Sequence, residues 1–246
     1  MNIVVACILA AVISFAIAFG LGYVVIPFLH KLKFGQTILD IGPKWHKNKQ
    51  GTPTMGGILF ILGTVIAFAV VVIIDKVLGG DIIGSVSVGE TAAQFITEQV
   101  SSKASSNNIK VWGGLIMALG FAFIGFLDDY IKVVKKRNLG LTILQKTVLQ
   151  VVLMVGYLLC LYINDPTGSM FIPFVGVVET KIFFWLIGFA VIYATTNAVN
   201  FTDGIDGLCG SVTVTAAISF IAIAGLRNCL GISLLASALV GGLIGY

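Results

Sequence analysis

Long apolar runs with almost no charge constrain this sequence more than any other feature. A membrane-spanning helix needs about 20 consecutive apolar residues, and hydrophobic residues make up 58% of the chain against 11% charged. The sequence therefore predicts an all-α fold, a polytopic integral membrane helix bundle formed as a single domain over residues 1–246. The candidate spans are residues 3–28, 55–74, 111–127, 147–163, 182–196 and 208–226, with an incomplete seventh starting at residue 231.

Lysine and arginine are distributed unevenly between the loops. Residues 31–53 and 128–146 hold most of them, and the polar stretch 197–208 falls on the same side of the predicted bundle. The positive-inside rule then places the N-terminus outside and these three polar clusters in the cytoplasm. The net charge of +4 is too small, and too scattered among apolar runs, to indicate nucleic acid.

Two loops on the predicted outer side differ in character. Residues 79–108 are polar and serine-rich, with a short helix expected over residues 90–100. Residues 164–180 carry Pro and Gly among β-formers, a pattern that predicts a hairpin or an extended turn.

The most polar of the cytoplasmic clusters is Asn197-Ala-Val-Asn-Phe-Thr-Asp-Gly-Ile-Asp-Gly-Leu208. Polar groups beside hydrocarbon are expensive, so their concentration here indicates a functional site. On an unbroken helix its amides and carboxylates would drift apart by about 60° at each step. Gly204 and Gly207 let the backbone unwind and return the carboxylates to one site. The polar side chains are Asn197, Asn200, Asp203 and Asp206.

A second cluster contains two adjacent carboxylates, Asp128 and Asp129, at the end of an apolar run. Neighbouring negative charges repel each other, and negative charge at a helix C-terminus opposes the helix dipole. A bound cation, or use of one carboxylate as a base, would relieve that repulsion. Lys132 and Lys146 flank the basic loop that follows and could hold phosphate charge.

The remaining cluster is Gly51-Thr-Pro-Thr-Met-Gly-Gly57, preceded by Lys49. Gly and Pro here mark a loop that enters a helix, with Thr54 near its start. A helix N-terminus with a hydroxyl and a lysine suits a phosphate. An ordinary basic loop attracted to anionic lipid is the alternative. Carboxylates for a divalent cation and lysines for phosphates, on one membrane face, together indicate phosphoryl transfer between a soluble donor and a lipid acceptor.

These three motifs, in their order along the chain, resemble those of the polyprenyl-phosphate N-acetylhexosamine-1-phosphate transferase superfamily. The run Thr52-Pro-Thr-Met-Gly-Gly57 is most similar to the branch that acts on a muramoyl-pentapeptide donor. The resemblance implies a ten-helix enzyme of the bacterial plasma membrane that joins UDP-N-acetylmuramoyl-pentapeptide to undecaprenyl phosphate. The products are lipid I and UMP, in peptidoglycan synthesis, and Mg²⁺ is required. It also implies a homodimer surrounded by membrane lipids.

The resemblance assigns roles by motif match. Asp128 and Asp129 are the implied catalytic carboxylates and candidate Mg²⁺ ligands, with a covalent phosphoryl-aspartate route as the competing mechanism. Asp203 is the third implied catalytic residue, at the nucleotide and metal site. Members of the superfamily continue beyond the point where this sequence stops, with an Mg²⁺-binding Asp and a His-rich loop, so we expect the natural protein to extend past Tyr246. The implied substrate-binding residues are Lys49, Thr54, Lys132, Lys146, Asn197, Asn200 and Asp206.

Three other functions remain open at the level of sequence. A UDP-N-acetylglucosamine–undecaprenyl-phosphate transferase would differ in its donor. A cation-coupled transporter would place its carboxylates at the membrane midplane in broken helices, whereas here the polar clusters sit at span ends on one face. A non-catalytic scaffold would have no need of clustered Asp residues.

Overall fold

The protein is a helical bundle with one small β-hairpin. The computed structural model describes residues 1–31, 55–84, 97–135, 139–172, 174–202 and 207–246. The helices are α1 (Ile3–Lys31), α2 (Ile58–Val77), α3 (Thr97–Val134), α4 (Ile143–Asn164), α5 (Ile182–Thr202), α6 (Leu208–Leu226) and α7 (Leu230–Gly245); the strands are β1 (Ser169–Ile172) and β2 (Gly176–Glu179).

Six of these helices, α1 to α6, are long and apolar enough to cross a membrane, and α7 is a shorter apolar helix. Their outward-facing positions carry Val, Ile, Leu and Phe rather than charges. A helix that is apolar on all faces is either buried in a large core or spans a bilayer. The predicted membrane helix bundle is thus confirmed, and the chain is a multi-pass membrane protein.

Helices α1, α2 and α7 pack most closely, α6 lies against α7, and α3 pairs with α4. Small residues make the close approach possible, as in other membrane bundles. A Cβ atom added at Gly245 would meet the carbonyl oxygen of Phe15, and one added at Gly63 would meet that of Ser14. The backbone of α1 therefore lies directly against α2 and α7.

For the outer segments, the structure corrects the predicted start of α3 and confirms the predicted hairpin. Helix α3 begins at Thr97, so the polar residues before Val111 are helical rather than loop. The predicted hairpin is present: β1 and β2 pair antiparallel, from Ser169 opposite Glu179 to Ile172 opposite Gly176. The expected helix over residues 90–100 falls partly on residues outside the described ranges, and its last residues belong to α3.

One buried hydroxyl in the bundle has no partner. Among the described residues, Ser14 Oγ is the single fully buried side-chain oxygen or nitrogen without a hydrogen bond. An unsatisfied buried polar group costs about 1–3 kcal/mol, so Ser14→Ala should stabilise the protein by about 1 kcal/mol. The measurement is the unfolding temperature in detergent.

Ser237 provides the matched control for this change. It is also buried, but its hydroxyl donates to the carbonyl oxygen of Ser233 at 2.8 Å. Ser237→Ala should therefore lower the unfolding temperature while Ser14→Ala raises it. A lower unfolding temperature in Ser14→Ala would mean that the hydroxyl is satisfied in the membrane.

Candidate active site

The adjacent carboxylates lie on α3 and share one cation. Lys132 Nζ is 2.7 Å from Asp128 Oδ2 and 3.0 Å from Asp129 Oδ1. Positions three and four residues apart on a helix face the same side, so one lysine reaches both. The expectation that this pair ends the helix is wrong, because α3 continues to Val134. The repulsion between the carboxylates is offset within the helix by Lys132.

The two carboxylates differ in their surroundings. The backbone N–H of Leu141 donates to Asp128 Oδ1 at 2.8 Å, so the segment entering α4 closes over this side chain. A Cβ atom at Gly140 would collide with Asp128, and glycine is therefore required at this close approach. The Asp128 side chain is 18% exposed and that of Asp129 is 33% exposed. Asp129 is the carboxylate more accessible to a reactant.

A second polar contact joins α4 to α5. Lys146 Nζ donates to Asn200 Oδ1 at 3.1 Å, across residues far apart in the chain. Helix α4 begins just before this lysine in a capping box formed by Thr142 and Gln145, which satisfies two backbone donors and fixes the start of the helix. The N–H of Leu141, two residues before the start of this helix, donates to Asp128. The two polar groups therefore belong to one site.

Asn197 is placed differently from Asn200. Its side-chain amide donates back to the carbonyl oxygen of Tyr193 at 2.8 Å, within α5. The structure does not bring it into contact with the Lys146–Asn200 pair. Its predicted role in nucleotide binding stays a prediction.

A cavity of about 230 Å³ lies beside the Lys146–Asn200 contact, between α3, α4, α5 and α6. Its walls are mainly apolar, and Lys146 and Asn200 contribute polar side chains to the lining. The sequence analysis did not predict the other lining residues. Gln150, a polar residue inside an apolar span, could have indicated a functional position there. The lining residues are Phe121, Ile124, Gly125, Lys146, Gln150, Thr196, Val199, Asn200 and Cys209.

Four predicted site residues lie outside the described residues: Lys49, Thr54, Asp203 and Asp206. The last two fall between the end of α5 and the start of α6. Gly207, at the start of α6, has a positive φ of 77°, a conformation that glycine adopts without steric cost. The predicted non-helical conformation is present at Gly207, whereas Gly204 and the predicted return of the Asp side chains to one site lie outside the described residues.

The residues that could hold a divalent cation in the described part of the site are Asp128 and Asp129. No cluster of three or more His, Cys, Asp or Glu side chains occurs among the described residues. Mg²⁺ is usually bound through one or two carboxylates, with water and substrate phosphates completing its shell. Two adjacent carboxylates near the end of one helix, the more exposed of them Asp129 at 33%, fit that donor set.

Comparison with known proteins identifies the family of the chain. The profile of glycosyl transferase family 4 matches residues 111–246, and signature 1 of phospho-N-acetylmuramoyl-pentapeptide-transferase matches residues 49–61. The second match contains Lys49 and Thr54, and the first contains both carboxylates of α3.

Similar curated proteins carry one name, phospho-N-acetylmuramoyl-pentapeptide-transferase. The protein from Listeria monocytogenes serovar 1/2a is 38% identical over 244 residues, which is 95% of this chain and 64% of the relative. That from Desulforamulus reducens is 36% identical over 242 residues, 97% of this chain and 64% of the relative. The chain thus spans less than two thirds of the length of these relatives. Since the family profile matches more than half of the sequence, the chain belongs to glycosyl transferase family 4.

Proposed function

We propose that this protein transfers phospho-N-acetylmuramoyl-pentapeptide from its UDP-linked donor to undecaprenyl phosphate, giving lipid I and UMP. The observation that carries the proposal is the 38% identity over 95% of the chain to a relative of that name. The site supports it with two carboxylates and a lysine on α3, next to a second lysine on α4. This set of charges suits a reaction between two phosphate-bearing substrates.

The proposed reaction is a single displacement at phosphorus. An oxygen of undecaprenyl phosphate attacks the phosphorus that carries the sugar, and the bond from that phosphorus to the UMP oxygen breaks. Asp129 is the more open carboxylate and is the proposed base for any proton on the attacking phosphate. Asp128, held by Lys132 and by the N–H of Leu141, keeps the pair in position.

Mg²⁺ is the proposed cofactor, held by Asp128 and Asp129 and assisted by Asp203. When bound, it would neutralise phosphate charge and stabilise the departing UMP oxygen. Lys132 and Lys146 supply fixed positive charge to the same phosphates. The remaining residues proposed to contact nucleotide or phosphate are Lys49, Thr54, Asn197, Asn200 and Asp206.

We further propose that the N-terminus faces the outside and that the site faces the cytoplasm, where the nucleotide donor is made available. The distribution of Lys and Arg between the loops supports this orientation. The small-residue packing of α1 with α7 lies within one chain, so a homodimer would use other faces of the bundle.

The test of the proposed function is a radiolabel transfer assay in detergent. It offers UDP-N-acetylmuramoyl-pentapeptide and undecaprenyl phosphate to the 246-residue chain and to the complete gene product. We expect labelled lipid product from the complete gene product, and its loss when EDTA removes Mg²⁺. Lipid product formed only from UDP-N-acetylglucosamine would contradict the proposed donor, and no product from either donor would contradict the proposed reaction.

A further inference from the structure

Gln150 is a polar residue placed where an apolar one would be expected. It lies within α4, between Val and Leu residues, and only 3% of it is exposed. It follows Lys146 by about one helical turn, so both side chains face the same side of the helix. Both line the cavity between α3, α4, α5 and α6.

The amide of Gln150 has no hydrogen-bond partner among the described residues. Among the described residues, Ser14 Oγ is the one fully buried polar side-chain atom without a hydrogen bond. The amide atoms of Gln150 are therefore not fully buried. The amide atoms of Gln150 therefore still touch open space, and that space is the cavity that Gln150 lines. A buried amide without a partner is costly, so a purely structural role does not explain it.

The other groups of the cavity define what this amide could bind. Lys146 contributes an ammonium and Asn200 a second amide, whereas Phe121, Ile124 and Val199 contribute apolar walls. Among the described residues, no carboxylate lines the cavity. A cation with two amides is a set of hydrogen-bond donors suited to a phosphate oxygen.

We propose that Gln150 is a substrate-binding residue that donates a hydrogen bond to a phosphate group held at the same time by Lys146. The inference rests on the proposed function, because that reaction brings two phosphate-bearing molecules to this site. Gln150, from the interior of a span, thus becomes the third proposed binding residue beside Lys146 and Asn200, which the sequence motifs indicated. The phosphate belongs either to the lipid acceptor or to the nucleotide donor.

The test uses Gln150→Met, which keeps the shape of the side chain and removes its hydrogen bonds. The unfolding temperature of the free protein should be unchanged or higher, since an unsatisfied amide is lost. The KM for one phosphate-bearing substrate should rise about tenfold or more, with a smaller change in kcat. Titrating undecaprenyl phosphate and the UDP-linked donor separately shows which KM rises, and so which phosphate Gln150 holds.

Met154 supplies the matched control, one turn further along α4. It is fully buried and is not part of the cavity lining, so Met154→Leu should leave both KM values unchanged. Unchanged KM values for both substrates in Gln150→Met, or a lower unfolding temperature, would overturn the inference.

A binding measurement separates this inference from the proposed function. Undecaprenyl phosphate alone, or UDP-N-acetylmuramoyl-pentapeptide alone, should raise the unfolding temperature of the unmodified complete gene product. The rise should be smaller in Gln150→Met and unchanged in Met154→Leu. That pattern without any transfer activity would support Gln150 as a binding residue and contradict the proposed reaction. Equal rises in unfolding temperature in all three proteins would contradict the role of Gln150.

Discussion

Replacing Asp129 by Asn should reduce the rate of lipid product formation by about 100-fold to 10,000-fold. The amide has nearly the shape of the carboxylate, but it neither accepts a proton nor offers a negative charge to a cation. Because the Asp129 side chain is 33% exposed and bonded only to Lys132 among the described residues, its loss should change the unfolding temperature little. Initial rates in the transfer assay, with the unfolding temperature as a check on folding, measure this effect.

Asp128→Asn should also reduce turnover sharply, with an additional effect on structure. The neutral side chain can still accept from the N–H of Leu141, but it gives up the 2.7 Å ion pair with Lys132. Glu179→Gln is the matched control, since it neutralises an exposed carboxylate on β2. It should leave the rate unchanged. Near-normal rates in both Asp128→Asn and Asp129→Asn would remove this pair from the catalytic site.

Replacing Gly241 by Val should destabilise the bundle by about 3 kcal/mol. A Cβ atom at this position would collide with the backbone of Ala11, including its carbonyl oxygen. Backbone atoms cannot rotate away as a side chain can, so α7 would have to separate from α1. Since these two helices make the most extensive contact of the fold, the loss should spread to α2. The unfolding temperature in detergent and the amount of folded protein in the membrane report this loss.

Gly20 offers the control for Gly241. It lies on α1, and a Cβ atom there would meet nothing within 4 Å. Gly20→Val should therefore be tolerated, with a change in unfolding temperature close to zero. Equal loss in both variants would show that valine is harmful at glycine positions in general, and not that α1 and α7 need close contact.

The sequence was sufficient to predict most of the fold because its signals are long and local. Runs of apolar residues predicted six helices and the beginning of α7, and Pro and Gly predicted the hairpin at β1 and β2. The start of α3 was not predicted, since Ser105, Ser106, Asn107 and Asn108 have weak helix propensity. Asn107 is nevertheless buried and donates to the carbonyl oxygen of Asn228. This tertiary contact supports a helical segment that local preference would not predict.

The sequence indicated candidate site residues but not the contacts between them. Local clustering identified Asp128, Asp129 and Lys132, and helical spacing alone would have predicted their ion pairs. The contact between Lys146 and Asn200 joins residues from two different spans, so no local pattern contains it. Gln150 carried a signal, a polar group within a span, but its meaning depends on the cavity that four helices form together.

Helix α5 holds Asn200 and leads directly to the stretch containing Asp203, yet none of its residues is fully buried against the rest of the chain. Its contact with α6 is slight, and its main neighbour is α4. The depth of α5 in the bilayer is then set largely by the match between its apolar length and the hydrocarbon thickness. A thinner or thicker bilayer would tilt this helix relative to α4, and this tilt would move Asn200 relative to Lys146. We therefore expect the lipid composition of the membrane to change the distance between Asn200 and Lys146.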